Sequence, residues 1–162
     1  MSRPKAVLHQ VPLHASKDDS GEYRFRPESE LWNDLEEELV FEKGKHGMRK
    51  QDYHLIEFLL DDQTGDGLKF PSTPHDAMWV TEGADRANRK CPDMNTVSNY
   101  EVMEPICVTD DQSRLIIRND NPRVEKWAFT LNFVKRGDDS SDARGFISWD
   151  PGGTNMNGGQ EW

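Results

Sequence analysis

The sequence predicts an all-β protein, an immunoglobulin-like antiparallel β-sandwich of about seven strands. Large apolar side chains at Trp127, Phe129, Leu131 and Phe133 occupy every second position. This alternation buries one face of a strand, whereas a helix would scatter the same residues around its surface. Turn-forming residues separate this segment from its neighbours, and the chain contains no repeats and no coiled-coil heptads. Alternation and turns together favour short strands over helices.

The same alternation predicts further strands on both sides of that segment. Ile56, Phe58 and Leu60 form one series, and Leu115 and Ile117 form another. Shorter apolar runs predict strands at 68–70, 78–80, 106–108 and 146–149. The predicted core comprises Phe58, Trp127, Phe129, Leu131 and Phe133.

The domain organisation is predicted from the distribution of apolar residues. Residues 1–30 carry few of them and keep no lasting period, so we expect a polar, partly ordered N-terminal arm in which Tyr23 and Phe25 anchor at most one short strand. Residues 31–162 are expected to form the β-sandwich domain. At its start, Leu31, Leu35 and Leu39 suit one face of a helix, whereas Leu39 and Phe41 suit a strand. We favour the strand.

The composition is acidic, with a net charge of −10, and charged residues make up 31% of the chain. Such a charge repels phosphate backbones, and no cluster of Lys and Arg offsets it, so neither nucleic acid nor an anionic membrane is an expected partner. The longest strongly apolar run, 55–60, is far shorter than the roughly 20 residues that cross a bilayer. The N-terminus lacks the apolar core of a secretion signal. We therefore expect a cytoplasmic protein.

The segment Asp62–Gly67 is a weak candidate for a metal site. Asp62, Thr64 and Asp66 place oxygen ligands at alternate positions ahead of a glycine, as at the start of a calcium-binding loop. The twelfth position of such a loop is a glutamate, and here it is Thr73. An acidic turn is the favoured interpretation, and no metal or other cofactor is predicted.

No catalytic residues are predicted. The histidines never stand at zinc-ligand spacing, and Cys91 and Cys107 lack the sequence context that lowers a thiol pKa. Glu104 and Asp150 would form an acid–base pair only if the fold brought them together. The glycine-rich segment 152–159 lacks the lysine and the helix of a phosphate loop, and we interpret it as a tail that crosses or caps the sandwich.

Two dipeptides, Glu104-Pro105 and Asp150-Pro151, flank the segments 115–121 and 127–133. Their order and spacing resemble the DP-EP family of small bacterial proteins over residues 36–160. The resemblance implies an immunoglobulin-like β-sandwich of unknown function, without catalytic residues to transfer. Gly152-Gly153 departs from the family pattern, in which further apolar residues follow Asp-Pro.

The two dipeptides are predicted to be structural. Each proline marks a strand entry or a sheet edge, because proline donates no backbone hydrogen bond. The preceding carboxylate is expected to accept hydrogen bonds from a neighbouring turn.

These observations predict a non-catalytic module that binds another protein or self-associates through an edge or a loop. The alternative is a metal-binding or hydrolytic module that uses the acidic loops around Asp61–Asp66 and Asp150. An exposed apolar patch or an open sheet edge would favour the first function. Several polar groups that converge in one concave pocket would favour the second.

Overall fold

The computed structural model describes residues 6–35, 37–41, 53–82, 103–119, 125–137, 146–149 and 152–155. These residues form eleven strands and one short helix, which confirms the predicted all-β class. The elements are β1 (Ala6–Lys17), β2 (Tyr23–Pro27), β3 (Trp32–Asn33), β4 (Glu38–Phe41), β5 (Tyr53–Asp62), α1 (Pro74–Ala77), β6 (Met78–Glu82), β7 (Met103–Val108), β8 (Arg114–Asn119), β9 (Glu125–Phe133), β10 (Ile147–Trp149) and β11 (Gly152–Asn155).

The first sheet has five strands in the order β2-β1-β5-β8-β7. The strand β1 lies between β2 and β5, antiparallel to the first and parallel to the second. The remaining pairs, β5 with β8 and β7 with β8, are antiparallel. The sheet is therefore mixed.

The second sheet is built around β9. Both β10 and β11 pair with β9 in one register, with Trp149 opposite Leu131 and Gly152 opposite Ala128. On its far side β11 runs parallel to β4, which pairs in turn with β3. The strand β6 pairs with β9 along the other side. Each sheet contains one parallel pair among antiparallel pairs, so the predicted antiparallel arrangement holds only in part.

The two sheets pack face to face around one apolar core. Phe58 of the first sheet and Phe129 of the second have ring centroids 6.2 Å apart, and both side chains are fully buried. Leu131 and Phe133 are buried beside them, while the structure describes only the backbone of Trp127. The buried cluster also includes Val11, Leu13, Leu31, Leu39, Ile56, Phe70, Ala77, Met78, Val80, Met103, Leu115 and Ile117.

The interpretation of residues 1–30 as a polar, partly ordered arm needs correction. Ala6–Lys17 is a strand with neighbours on both sides, and Tyr23–Pro27 pairs with it. Val11, Leu13 and Ala15 point into the core and are fully buried. A strand with one buried face gains apolar burial that offsets its ordering entropy. The predicted domain boundary at residue 30 would therefore separate side chains that pack together in one core.

The ambiguous segment after residue 30 forms two short strands, β3 and β4, as the strand interpretation expects for Leu39. Leu31 and Leu39 are buried, whereas Leu35 is 94% exposed in the turn between the strands. A helix with the three leucines on one face would have buried all of them together. The helical alternative is therefore wrong.

The strand β9 is buried on both faces, not on one. Thr130 is 1% exposed and Asn132 is fully buried on the face that was expected to be polar and solvated. Asn132 Nδ2 donates a 2.7 Å hydrogen bond to the backbone oxygen of Asp76, and Asn132 Oδ1 accepts one from Ser148 Oγ. The expected glycine-rich tail also differs, because Gly152–Asn155 is a strand inside the second sheet.

Candidate functional site

The edge strand β2 presents backbone groups to a space that no described strand fills. Even-numbered residues form the backbone hydrogen bonds between β1 and β2. The two bonds that show this run from Asp18 N to Glu22 O and from Glu28 N to Pro12 O. Bonding direction alternates along a strand. Tyr23 and Phe25 therefore direct their N–H and C=O groups away from β1.

A cavity of about 410 Å³ lies along this edge, within the size range of ligand pockets, and we name it the β2 groove. Its second wall comes from β10 and from the turn between β3 and β4. The groove is lined by Tyr23, Arg24, Phe25, Arg26, Pro27, Trp32, Asp34, Glu37, Ser148 and Trp149.

The floor of the β2 groove is aromatic and rests on the core. Phe25 stacks on Phe133 with ring centroids 4.7 Å apart, and Trp149 meets Phe129 edge-on at 6.1 Å. Trp32 lies against Trp149 at 5.5 Å. Because Phe129 and Phe133 are fully buried, the partly exposed rings above them are held in place. The floor is therefore formed before any ligand arrives.

The turn that forms one wall is held by local hydrogen bonds. Trp32 Nε1 donates to Asp34 Oδ1 at 2.6 Å, and Leu35 N donates to Asn33 Oδ1 at 3.0 Å. Glu37 has φ +52°, a left-handed conformation that ends the turn. The Trp32 indole thereby keeps a fixed orientation toward the groove.

Charges of both signs line the rim of the β2 groove. Arg24 is engaged by Asp18 at 2.9 Å and by Glu22 at 3.2 Å. Hydrogen bonds from the Ser20 hydroxyl, the Glu22 backbone and Arg24 lower the pKa of Asp18 to about 2, so it stays ionised. Within the described chain, Arg26 makes no ion pair, and its guanidinium is exposed.

The carboxylates of the predicted metal loop already form hydrogen bonds or an ion pair with other groups of the protein. Asp62 accepts hydrogen bonds from Thr64 N and Leu68 N, both at 2.9 Å. Burial raises the pKa of Asp62, but these bonds outweigh that effect and the pKa is lowered overall. Asp66 pairs with Lys17 Nζ at 2.6 Å, and this contact lowers the pKa of Asp66. The arrangement is that of an acidic turn tied to β1.

The two dipeptides of the structural motif are described only in part. Glu104 is exposed on β7, an edge strand, and Pro105 is buried where the register with β8 is irregular. Asp150 and Pro151 lie outside the described residues. No contact between the two carboxylates can thus be assigned, and the acid–base pair stays an untested alternative.

Other candidate residues are dispersed across the fold. Cys107 is an exposed free thiol on β7, while Cys91 lies outside the described residues. His14 contacts the carboxylates of Asp61 and Glu28, and His9 contacts His54. Over the described ranges, no three His, Cys, Asp or Glu side chains are placed to hold a metal ion. No helix in this part of the chain has the length and apolarity to cross a membrane.

The β2 groove was not predictable from the sequence. Its residues come from β2, from the turn after β3 and from β10, and only the fold brings these segments together. One signal was present, since Tyr23 and Phe25 alternate with Arg24 and Arg26, a pattern typical of a strand with one buried face.

Comparisons with known proteins add no assignment to these observations. No protein-family model matches the chain, and no match is found among curated proteins.

Proposed function

We propose that this chain is a non-catalytic protein-interaction module that captures an extended segment of another protein in the β2 groove. The observation that carries this proposal is the position of an aromatic floor directly beside the outward-facing backbone groups of Tyr23 and Phe25. A peptide added there as a strand would bond to the edge of β2, and alternate side chains would enter the groove.

The chemistry of the groove favours a peptide over other ligands. Indole and phenyl rings contribute large contact areas at a small entropic cost, which makes them typical of protein-binding sites. Arg26 on one rim and Asp34 and Glu37 on the other offer opposite charges to a chain that carries both. A protein with net charge −10 is poorly suited to nucleic acid.

The alternative of a metal-binding or hydrolytic module has no comparable support. The carboxylates of Asp62 and Asp66 are already engaged by Thr64, Leu68 and Lys17. Membership of the DP-EP family, the immunoglobulin-like topology and a cytoplasmic location stay proposals based on the sequence.

Selection from a library of random peptides displayed on phage tests the proposed function. Binding of the selected peptides is then measured by titration calorimetry against the wild type, Trp32→Ala and Trp79→Ala. Trp79 is a matched control, because it is also a partly buried indole but lies against Phe146, away from the groove. We expect binding to fall at least about tenfold in Trp32→Ala, since loss of a central aromatic hot-spot residue costs about 2 kcal/mol or more. Trp79→Ala should bind like the wild type.

Strand addition makes a second, independent prediction. Peptides that are N-methylated at alternate backbone amides should bind in one methylation frame and fail in the other. Hydrogen exchange at Tyr23 and Phe25 should slow when the unmethylated peptide binds. Failure to select any peptide, or equal affinity for wild type and Trp32→Ala, would contradict the proposed function.

A further inference from the structure

The segment Ala6–Val11 of β1 is a second edge of the first sheet. It lacks the features that keep exposed strand edges from pairing with strands of other molecules. The strand β2 accompanies β1 only along Leu13–Lys17, and the last bond between them joins Glu28 N to Pro12 O. No other described strand runs beside Ala6–Val11 on that side. Leu8 and Gln10, in phase with Pro12 and His14, therefore direct their N–H and C=O groups outward.

This stretch of β1 carries no Asp, Glu, Lys or Arg, and the first acidic residue of the chain is Asp18. Leu8 is 57% exposed, and its side chain lies on the outer face of the sheet, opposite Leu55. His9, which faces inward, is occupied by its hydrogen bond to His54. An uncharged edge with an exposed leucine is a template for pairing with another strand.

The other described edges are protected in the ways that proteins use against such pairing. The edge strand β7 contains Pro105 and an irregular register between Pro105 and Cys107. The strand β3 has only two residues, and in β6 Met78, Val80 and Thr81 are buried. Arg24 and Arg26 alternate along β2, so two copies of that strand would repel each other. The edge strands β3 and β10 are also uncharged but have only two and three residues, so Ala6–Val11 is the longest described edge segment without charge, proline or irregularity.

We infer that the Ala6–Val11 edge pairs with the same edge of a second copy of this chain. An antiparallel pair about a two-fold axis would place Leu8 opposite Leu8, and Ala6 opposite Gln10. This register bonds the outward N–H and C=O groups of all three residues in both copies at once. It also buries the two exposed leucines against each other on one face of a continuous ten-stranded sheet, twice the five strands of one copy.

The second copy is favoured as the occupant by the self-complementary register, and the charge of the chain restricts where two copies can meet. Away from this edge the chain is strongly acidic, so most surfaces of two copies repel each other. The Ala6–Val11 edge is neutral, and it allows approach without juxtaposing like charges. Because the contact is confined to one short strand pair, it belongs with weak interfaces of less than about 1,200 Å², and the dimer should form reversibly with concentration.

Sedimentation analysis of the full chain over a concentration series tests this inference. Wild type should shift from monomer toward dimer as concentration rises. Leu8→Lys places two ammonium groups opposite each other. Gln10→Pro removes an outward N–H and leaves the backbone bonds to β5 in place, and Gln10→Ala is the control for loss of the side-chain hydrogen bond to Glu57. Leu8→Lys and Gln10→Pro should both stay monomeric. Leu35→Lys, the same change at a leucine that is 94% exposed on the other sheet, should dimerise like the wild type.

Hydrogen exchange of the wild type provides a measurement that does not depend on the folding of a variant. The amides of Leu8 and Gln10 should exchange more slowly at high protein concentration than at low concentration, while that of Leu35 should not change. A wild type that stays monomeric throughout, or a dimer that Leu8→Lys and Gln10→Pro leave intact, would overturn the inference.

Discussion

His9 Nε2 lies 2.7 Å from His54 Nδ1, and this hydrogen bond joins β1 to β5 inside the protein. His54 is fully buried and His9 is 9% exposed. One of the two facing nitrogens donates and the other accepts, so at least one of the rings is neutral. The contact fixes β1 to the neighbouring strand through side chains as well as through the backbone ladder.

Deletion of residues 1–30 should therefore abolish folding. Val11 and Leu13 are fully buried, and burial of each such side chain contributes about 1.5–3 kcal/mol. Their loss, together with the ladder between β1 and β5, removes much of a typical domain stability of about 5–15 kcal/mol. Circular dichroism and urea denaturation of a chain that begins at Leu31 provide the measurement. A cooperative transition near that of the full chain would show that β1 is dispensable.

Two neighbouring positions on β9 should both be sensitive to substitution. Phe129→Ala should lower the free energy of unfolding by about 3–5 kcal/mol through loss of a buried ring. Thr130→Ala should cost about 1–3 kcal/mol, because its hydroxyl and methyl group are also buried. Urea denaturation of the two variants measures both losses.

Ile106→Ala is the control for these two substitutions. Ile106 is 48% exposed on β7, so its truncation should change stability by no more than about 0.5 kcal/mol. A negligible loss at Thr130 would contradict burial of the second face of β9.

The inner face of β9 was predictable because large apolar residues alternate there without exception. The strand β1 was not predicted from the sequence, and this failure has a physical cause. Its inward residues include His9 and Ala15, while Leu8 and Pro12 lie on the outward face, so the contrast between the two faces is weak. Its position next to β5 depends on a parallel pairing between distant segments, which no local pattern encodes.

The position of Ile106 shows a second limit of prediction by alternation. The alternation of Ile106 and Val108 predicts that both face the core, but only Val108 packs against it, because the register is irregular between Pro105 and Cys107. Met103 and Pro105 are buried instead. Because one extra residue in a strand reverses which side chains face inward, period-two patterns fail at such irregularities. The β2 groove was missed for a different reason, since its walls come from segments far apart in sequence.

Glu104→Gln should leave the melting temperature almost unchanged. The sequence alone predicts a lower melting temperature, because the Glu104 carboxylate is expected to accept hydrogen bonds from a turn. In the described part of the chain Glu104 is exposed and lies opposite Arg118, whose guanidinium carbon sits 3.9 Å from the centre of the Tyr53 ring. Substitutions at exposed positions outside the core usually change stability by no more than about 0.5 kcal/mol.

Thermal melts of Glu104→Gln and Pro105→Ala test the revised role of this dipeptide. We expect the larger effect from Pro105→Ala, because Pro105 is buried and its ring limits the unfolded chain. A large destabilisation by Glu104→Gln would restore the structural role that the sequence suggests for the carboxylate.

A clamp of two carboxylates around His14 should make stability depend on pH. His14 Nε2 lies 2.9 Å from Glu28 Oε2, and Nδ1 lies 2.8 Å from Asp61 Oδ2. An ionised carboxylate only accepts hydrogen bonds, so both bonds form together when both ring nitrogens carry a proton and the imidazole is charged. The bonds to Glu28 and then Asp61 raise the pKa of His14 above its usual 6.5, and the bond to His14 lowers the pKa of Asp61.

The pH range in which this clamp stabilises the protein follows from the shifted pKa values of His14 and Asp61. Its contribution is fully present below pH 6.5, where the unfolded histidine is also protonated, and it disappears as pH rises through the higher pKa of the folded state. On the acid side it is lost as pH falls through the lowered pKa of Asp61. The neighbouring charged residue on β2 is Arg26, which lies opposite His14 in the strand register.

Unfolding of wild type and His14→Gln is therefore compared across this range of pH. The stability advantage of wild type should be greatest just below pH 6.5 and should shrink toward alkaline pH. The stability difference between wild type and Glu28→Gln should follow the same trend with a smaller amplitude, because in that variant Asp61 still bonds to the His14 ring. High salt should weaken both effects, since the groups are partly exposed. An advantage that grows as pH rises would contradict the clamp.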